Sequence, residues 1–287
     1  MQHQPLVSVL MTSYNREIYI VEAIESVLAS TYQNFELIIV DDRSKDKTLE
    51  IAGKYAEKDG RIKVYQNEKN LGDYGNRNKA AAYATGYYIM HLDSDDTIFK
   101  EGIEMCVACM EQFAEAHFGM INYYIKEPQV FESTKAIREH LFGIPYLGIG
   151  PGGTIIKRSY FEQLNGFPEK YGPANDMYFN LKACSSSNIV MLPFEFHYYR
   201  RHEGQEINNY YSYLYNNYLY TKDALLELNL YLTEQERKWL NNKNNRRFLK
   251  NIVKYFLRSY NFLKVKEAFK RTGFSINDAM SGIFHLS

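Results

Sequence analysis

Cysteine is scarce in this chain: 287 residues hold three, an odd and small number that does not fit a disulfide framework and suits a reducing compartment. Proline and glycine are also sparse, at 7 and 17, and with 45% hydrophobic and 24% charged residues the composition excludes collagen-like and low-complexity classes. Net charge is absent. The 34 Lys and Arg balance 34 Asp and Glu, so no global field draws in nucleic acid, and no nucleic-acid partner is expected. Nothing approaches the roughly 18–20 uninterrupted apolar residues that span a bilayer, which excludes an integral membrane protein. Residues 1–5 carry no Lys or Arg, and the apolar run behind them is too short for a signal-peptide core, so a cytoplasmic chain is expected. The length allows one large or two modest domains, at roughly 100–200 residues each.

Apolar runs of strand length alternate with stretches of helical period. Residues 6–12 read as a buried strand ending in Ser13-Tyr14-Asn15, and Ile20, Ala23, Ile24, Val27 and Leu28 recur at helical spacing. Residues 35–40 form a second strand, ending in Asp41-Asp42. Residues 48–56 then read as helix, 62–65 as strand, 76–85 as helix, and 87–92 as a strand that runs into Asp93-Ser94-Asp95-Asp96. This alternation predicts an α/β fold with right-handed crossovers and a mostly parallel central sheet flanked by helices. Ligands of such sheets bind beyond the carboxyl ends of the strands, which puts all three polar clusters on one rim.

The second half is less regular. Helix is predicted over 102–113, where the C-x-x-C of Cys106 and Cys109 falls on apolar-periodic positions with no second pair, favouring core packing over metal or redox chemistry. Residues 118–126 and 153–157 read as strands, 159–165 and 176–184 as helices. Residues 128–153, with Gly148, Gly150, Gly152 and Gly153, read as a loop and a candidate lid. From 210 onward the pattern is helical, with 13 Lys and Arg against 6 Asp and Glu. Within 243–271, the stretch 246–258 places apolar and basic residues on different faces of one helix. Such a helix can lie on an anionic membrane surface, or pack on the rest of the chain with its basic side solvated. The region is equally open to homodimerisation.

Asp93, Asp95 and Asp96 are the densest acid cluster. Asp93 and Asp95 share a side while the chain is extended. Such a cluster calls for a cation unless fully exposed, and all-oxygen ligands suit Mg2+ or Mn2+ shared with substrate phosphates. A solvated acidic turn or a helix cap is the plainer alternative. The second acidic strand end at Asp41-Asp42, with Thr12 and Tyr14 on a third, argues against it.

Val7-Ser8-Val9-Leu10-Met11-Thr12-Ser13-Tyr14-Asn15, Ile38-Ile39-Val40-Asp41-Asp42-Arg43-Ser44-Lys45-Asp46-Lys47-Thr48, Asn70-Leu71-Gly72, Arg77-Asn78 and Leu92-Asp93-Ser94-Asp95-Asp96 resemble, in order and spacing, glycosyltransferase family 2 of the GT-A fold. The resemblance covers residues 5–205 and leaves 210–287 outside. It implies a GT-A-type, Rossmann-like domain over 1–209, with a nucleotide-binding half over 5–97 and an acceptor-side half over 98–209, followed by a basic helical C-terminal appendage. The implied activity is inverting, metal-dependent transfer of a sugar from a UDP-sugar to a hydroxyl of a glycan or lipid-linked glycan, in cell-surface polysaccharide, O-antigen or glycolipid assembly. A cytoplasmic enzyme of this kind would be peripheral on the inner face of the membrane.

The resemblance also implies roles. Thr12 and Tyr14 match positions lining the uracil pocket, and Asp42 matches the acid that bonds uracil or ribose, while Asp41 fits a structural role equally well. Arg77 matches a basic residue near the nucleotide. Asp93 and Asp95 match the D-x-D that contacts ribose and metal, with Asp96 a further ligand. Asp176 matches the catalytic base, although an acid opening a helix is also a common cap. Asn175 departs from the Glu usual before it, which removes a like charge that would have raised the pKa of Asp176. Tyr199-Arg200-Arg201-His202-Glu203-Gly204 resembles the family's Y-R-x-H segment, placing Arg200 near phosphate and His202 near metal or diphosphate. Gly152 and Gly153 match the region facing the donor and acceptor sugars, where a plain turn is the simpler account.

Rival classes fit less well. Asp93-Ser94-Asp95-Asp96-Thr97 also satisfies the D-x-D-x-T of haloacid-dehalogenase-like phosphatases, whose first Asp attacks phosphorus, but that family places it on the first strand. A nicotinamide dehydrogenase lacks its G-x-G-x-x-G here. A sugar-phosphate nucleotidyltransferase would want a Gly-rich basic loop after the first strand. A non-catalytic nucleotide-binding module of the same fold would have no need of Asp95 and Asp176.

Overall fold

A computed structural model describes residues 4–203, 205 and 209–284. Gly204, in the segment matched to Y-R-x-H, and residues 206–208, just ahead of the boundary expected at 209, lie outside the described residues. The first half alternates strand and helix as predicted: β1 (Val7–Ser13), α1 (Ile20–Leu28), β2 (Phe35–Asp41), α2 (Thr48–Ala56), β3 (Ile62–Gln66), α3 (Asp73–Ala82) and β4 (Tyr88–Asp93). β1 pairs in parallel with β2 and β4, and β2 with β3. The register sets Thr12 beside both Val40 and Asp93, so β1, β2 and β4 end together.

Beyond β4 come β5 (Thr97–Ile98), α4 (Gly102–Gln112), β6 (Phe118–Ile121), β7 (Gln129–Phe131), α5 (Ser133–Phe142), β8 (Thr154–Lys157), α6 (Arg158–Gln163), α7 (Asn175–Ser186), β9 (Ile189–Leu192) and β10 (His197–Tyr198). The main sheet runs β3-β2-β1-β4-β8-β6-β9-β7, and β5 pairs with β10 apart from it. β8 is antiparallel to both β4 and β6, and β6 is parallel to β9.

Three expectations are corrected. The helix expected from Asn76 begins at Asp73, because Gly72 at φ +79° turns the chain earlier. The strand expected to reach 126 stops at Ile121, where Tyr123 and Tyr124 emerge into solvent. The loop expected over 128–153 contains β7 and α5, with Ala136 and Ile137 buried, and its glycines come only after that helix.

Alternate residues of the strands feed opposite faces of the sheet. Val9, Met11, Leu37 and Ile39 pack with α1 and α4, whereas Leu10, Ile38 and Val40 pack with Ala80 of α3 and Phe179 of α7. Cys106, Cys109 and Cys184 are free and buried in these layers, and burial pushes their thiols up, which suits packing.

The C-terminal region is helical as predicted: α8 (Tyr210–Glu227), α9 (Glu234–Ser259), α10 (Phe262–Thr272) and α11 (Ile276–Phe284). Thr233 and Glu236 form a capping box at the start of α9. Ala224, Leu225 and Leu240 join the main core, while Leu214, Tyr218, Phe248, Ile252, Val265 and Ala268 make a smaller core of their own. Tyr171 and Tyr178 donate their hydroxyls to Asp223 and Glu227, and Arg138 grips Glu236. Among the described residues no helix is long and apolar enough to cross a membrane.

At the end of the sheet remote from the acid cluster, Glu36 is 5% exposed. It accepts hydrogen bonds from Ser8 Oγ (2.7 Å), Lys63 Nζ (2.7 Å), and Thr85 N (2.7 Å) and Oγ1 (2.8 Å), joining β1, β2, β3 and the entry to β4. Burial opposes ionisation, but Lys63, Ser8 and Thr85 outweigh it and hold the carboxyl at about 2, below its ordinary 4.5. Its contribution is therefore complete above that ordinary value and fades as pH falls toward about 2. Glu36→Gln should lose about 2–3 kcal/mol in urea unfolding at neutral pH. The gap from wild type should close on acidification; an unchanged midpoint at neutral pH would refute this role.

Candidate functional site

The carboxyl ends of β1, β2 and β4 open into a cavity of ≈ 1140 Å3. Asp93 is the last residue of β4, and a tight turn, with Asp96 N bonded to Asp93 O at 2.9 Å, brings Asp95 and Asp96 back beside it. One carboxylate oxygen from each of the three lies within 4.8 Å of the others. An oxygen-only donor set this compact fits Mg2+ or Mn2+.

Cations hold the cluster together. Arg77 Nη2 lies 2.7 Å from Asp93 Oδ1, and its Nε donates to Asp73 Oδ1 at 2.9 Å. Arg16 Nε donates to Asp95 Oδ2 at 2.9 Å, and His202 Nε2 sits 2.8 Å from the same oxygen. Asp96 Oδ1 accepts from the Arg200 amide at 2.9 Å. Burial, then the charge of Asp93, pushes the Asp96 carboxyl up to about 7. Burial also raises Asp93, against the pull of Arg77.

Asp42 is buried and bound by the loop after β3. Its Oδ1 accepts from Asn67 Nδ2 and Leu71 N, both at 2.8 Å, and its Oδ2 from Gly72 N at 2.9 Å. Gly72 needs its missing side chain, since φ +79° with ψ 170° is a glycine conformation. Asp41 instead holds Ser44 and Gln66, which is the structural role open to it. Thr12 Oγ1 donates to Asp93 Oδ1 at 3.3 Å, and Tyr14 stands half-exposed on the cavity wall.

Across the cavity, Asp176 lies in the first turn of α7, behind the short turn Gly172–Ala174. The helix is not capped by it. Its Oδ1 accepts from Met177 N at 2.7 Å, and burial pushes its carboxyl up to about 7 although Met177 and Arg77 pull the other way. Asn175 locks the turn, accepting from Tyr171 N at 2.9 Å and donating to Gly172 O at 2.7 Å. An ionised Glu could not make that donation.

Thr12, Tyr14, Asp42, Arg77, Asp93, Asp95, Asp96, Gly152, Gly153, Asn175 and Asp176 all line the cavity. Gly153 has no room for a Cβ, which would run into Ile149. Arg200 is placed differently from expectation. Its guanidinium is spent on Glu22 and the Asp95 carbonyl, behind the acid cluster, and Arg201 faces the cavity. His202 reaches the cluster through Asp95 and is stacked on Tyr19.

Sequence reasoning passed over Arg16, Asp73 and the α8 residues Ser212 and Tyr213, which also line the cavity. Arg16 was detectable as the cation directly following Ser13-Tyr14-Asn15. Asp73 was hidden by the late helix start, although its spacing of four from Arg77 suits an ion pair on one helix. Nothing local marks Ser212 or Tyr213.

Comparison with known proteins matches residues 8–166 to the model of the family "Glycosyl transferase family 2". The Escherichia coli UDP-Glc:alpha-D-GlcNAc-diphosphoundecaprenol beta-1,3-glucosyltransferase WfgD is 33% identical over 196 residues, covering 65% of this chain and 73% of that protein. An uncharacterized glycosyltransferase of Rickettsia conorii is 28% identical over 289 residues, covering 91% of this chain and 45% of its own. This chain spans only 20 to 45% of the length of several curated relatives. Among solved structures, S. aureus TarS 1-349 in complex with UDP-GlcNAc has the same fold, with a TM-score of 0.72, 23% identity, and coverage of 96% of this chain and 81% of that one. The family match takes in more than half of the sequence, including the strand ends that carry Asp42, Asp93, Asp95 and Asp96, and the chain accordingly belongs to glycosyltransferase family 2.

Proposed function

We propose that the protein is a metal-dependent, inverting glycosyltransferase that moves a sugar from a UDP-sugar to a hydroxyl of a glycan or lipid-linked glycan in cell-surface polysaccharide assembly. The observation that carries this reading is one cavity with a compact cluster of three acids on one wall and a buried carboxyl at about 7 on another. The donor named for WfgD and the nucleotide sugar bound to TarS support a UDP-linked donor, and the acceptor named for WfgD supports a lipid-linked one.

In this reading the uridine lies against Tyr14, Thr12 and Asp42. Asp93, Asp95 and Asp96 would hold Mn2+ or Mg2+, which when bound neutralises charge growing on the departing diphosphate. Arg77 contributes charge from the protein itself. Its Nη1 is buried and has no hydrogen-bond partner among the described residues, a donor suited to a phosphate or base oxygen. Arg16 and His202 orient Asp95. Asp176 takes the proton of the acceptor hydroxyl as its oxygen bonds to the anomeric carbon from the face opposite UDP, and the bond from that carbon to the diphosphate oxygen breaks. A carboxyl near 7 is matched to this work, since its conjugate base is both present and strong enough at neutral pH.

A phosphatase is disfavoured by position, because Asp93 closes the fourth strand and its carboxylate is tied to Arg77. In thermal unfolding, UDP with Mn2+ at a hundredfold excess over its dissociation constant adds about 2.7 kcal/mol and should raise the midpoint by about 5 °C. Asp95→Ala should abolish the shift, and no shift in wild type would remove the donor-site reading. Asp176→Asn should keep the shift yet lose transfer by about 10^2–10^4-fold; a fully active variant would show that the base lies elsewhere. Because the carboxyl must be ionised to act, kcat/KM of wild type should fall tenfold per unit as pH drops below about 7. The residual rate of Asp176→Asn should lack that limb, and a limb common to both proteins would assign it to another group.

A further inference from the structure

The contacts of the C-terminal helices engage most of their acids and leave many of their bases over. Among the described residues, Asp223 and Glu227 serve Lys170, Tyr171 and Tyr178, Glu236 serves Arg138, and Glu267 pairs with Arg271. Asp278 accepts from Ser275 at the start of α11. Residues 237–266, by contrast, contain ten Lys and Arg and no Asp or Glu.

α9 divides lengthwise into three sectors at 3.6 residues per turn. One sector, with Phe248 and Ile252, is buried against α8 and α10. A second is a basic row, Lys243, Arg247, Lys250, Lys254 and Arg258, spaced by three or four residues. Arg247 turns back to Asn217 and Thr221 of α8, while Lys250, Lys254 and Arg258 are exposed and have no ion-pair partner among the described residues. The third sector is apolar and uncovered. Val253, Leu257 and Tyr260 occupy it, and Phe262 and Leu263 extend it across the left-handed turn at Tyr260. These five are 55 to 78% exposed.

Single exposed apolar residues are ordinary, but a row of them bordered by unpaired bases marks an interaction surface. The charge selects the occupant. A second copy packed antiparallel on this face about a two-fold axis would set basic row beside basic row, at a cost in repulsion. An anionic bilayer satisfies both sectors, since its acyl boundary accepts the apolar tips and its headgroup phosphates accept the bases.

We propose that the α9–α10 corner docks the protein on an anionic lipid surface, with Val253, Leu257, Phe262 and Leu263 entering the interface and Lys250, Lys254 and Arg258 on the headgroups. The inference does not depend on the donor site. Within the stretch 246–258 of the sequence expectation, it separates Val253 and Leu257, which face outward, from Phe248 and Ile252, which are consumed by the fold.

The test is co-sedimentation of the full chain with vesicles of phosphatidylcholine alone and of phosphatidylcholine with phosphatidylglycerol, at low and high salt. Wild type should bind the anionic vesicles at least about tenfold more tightly, and salt should weaken that binding. Lys250→Gln with Lys254→Gln, and separately Leu257→Asp with Leu263→Asp, should each cut binding about tenfold or more. Unchanged melting temperatures would show that both variants fold; should one not fold, the lipid and salt dependence of wild type decides. Equal binding to neutral vesicles, indifference to salt and to both variants, or a concentration-dependent dimer by light scattering without vesicle binding would overturn the proposal.

Discussion

Repulsion among carboxylates at the end of β4 is the constraint around which the site is arranged. Asp93, Asp95 and Asp96 bring one oxygen each within 4.8 Å of the others, and the chain answers with raised carboxyls and with basic groups drawn from far apart. Arg77 arrives from α3 and Arg16 from the loop after β1, while the ring of His202, from the segment after β10, lies within hydrogen-bond distance of Asp95. These contacts tie the beginning, middle and end of the sheet-forming region to one point. Arg77, the acids that close β4 and His202, drawn from motifs more than a hundred residues apart, meet there.

Two buried acids show how the same forces produce opposite outcomes. Glu36 accepts four hydrogen bonds, one from a lysine, and is held at about 2. Asp176 accepts from backbone and contacts no cation among the described residues, and burial pushes it to about 7. The donors weighed against the depth of burial decide whether a carboxyl is a permanent charge or a titratable one. The first fastens the sheet at the end away from the cavity. The second stands where a proton can be exchanged with a ligand.

The alternation of apolar runs made the first four strands and their helices legible, because a buried parallel strand has few ways to be written. The strand-end acids were legible for the same reason, since the polarity change at Asp41 and Asp93 is abrupt. Asp73 was missed because Gly72 starts its helix earlier than the apolar spacing does, Arg16 because its partner Asp95 lies across the fold, and α5 because it buries only a short apolar pair. Arg200 illustrates a different limit. A motif places the residue in the loop, but which of two neighbouring arginines faces the cavity is decided by Glu22, nearly two hundred residues away.

The turn at Gly172–Ala174 has a consequence for how this protein can be taken apart. Gly172 holds φ +51° with its α carbon pressed so close to Asn216 of α8 that an added Cβ would lie 2.6 Å from the amide nitrogen. The neighbouring Asn175 and Asp176 take their positions from that turn. The terminal helices, which look like a removable extension in the sequence, are thus the mould against which the far wall of the cavity is cast. Cutting the chain before α8 would take away the surface on which the Gly172 turn rests, and an exchange of tails between relatives would have to match that turn.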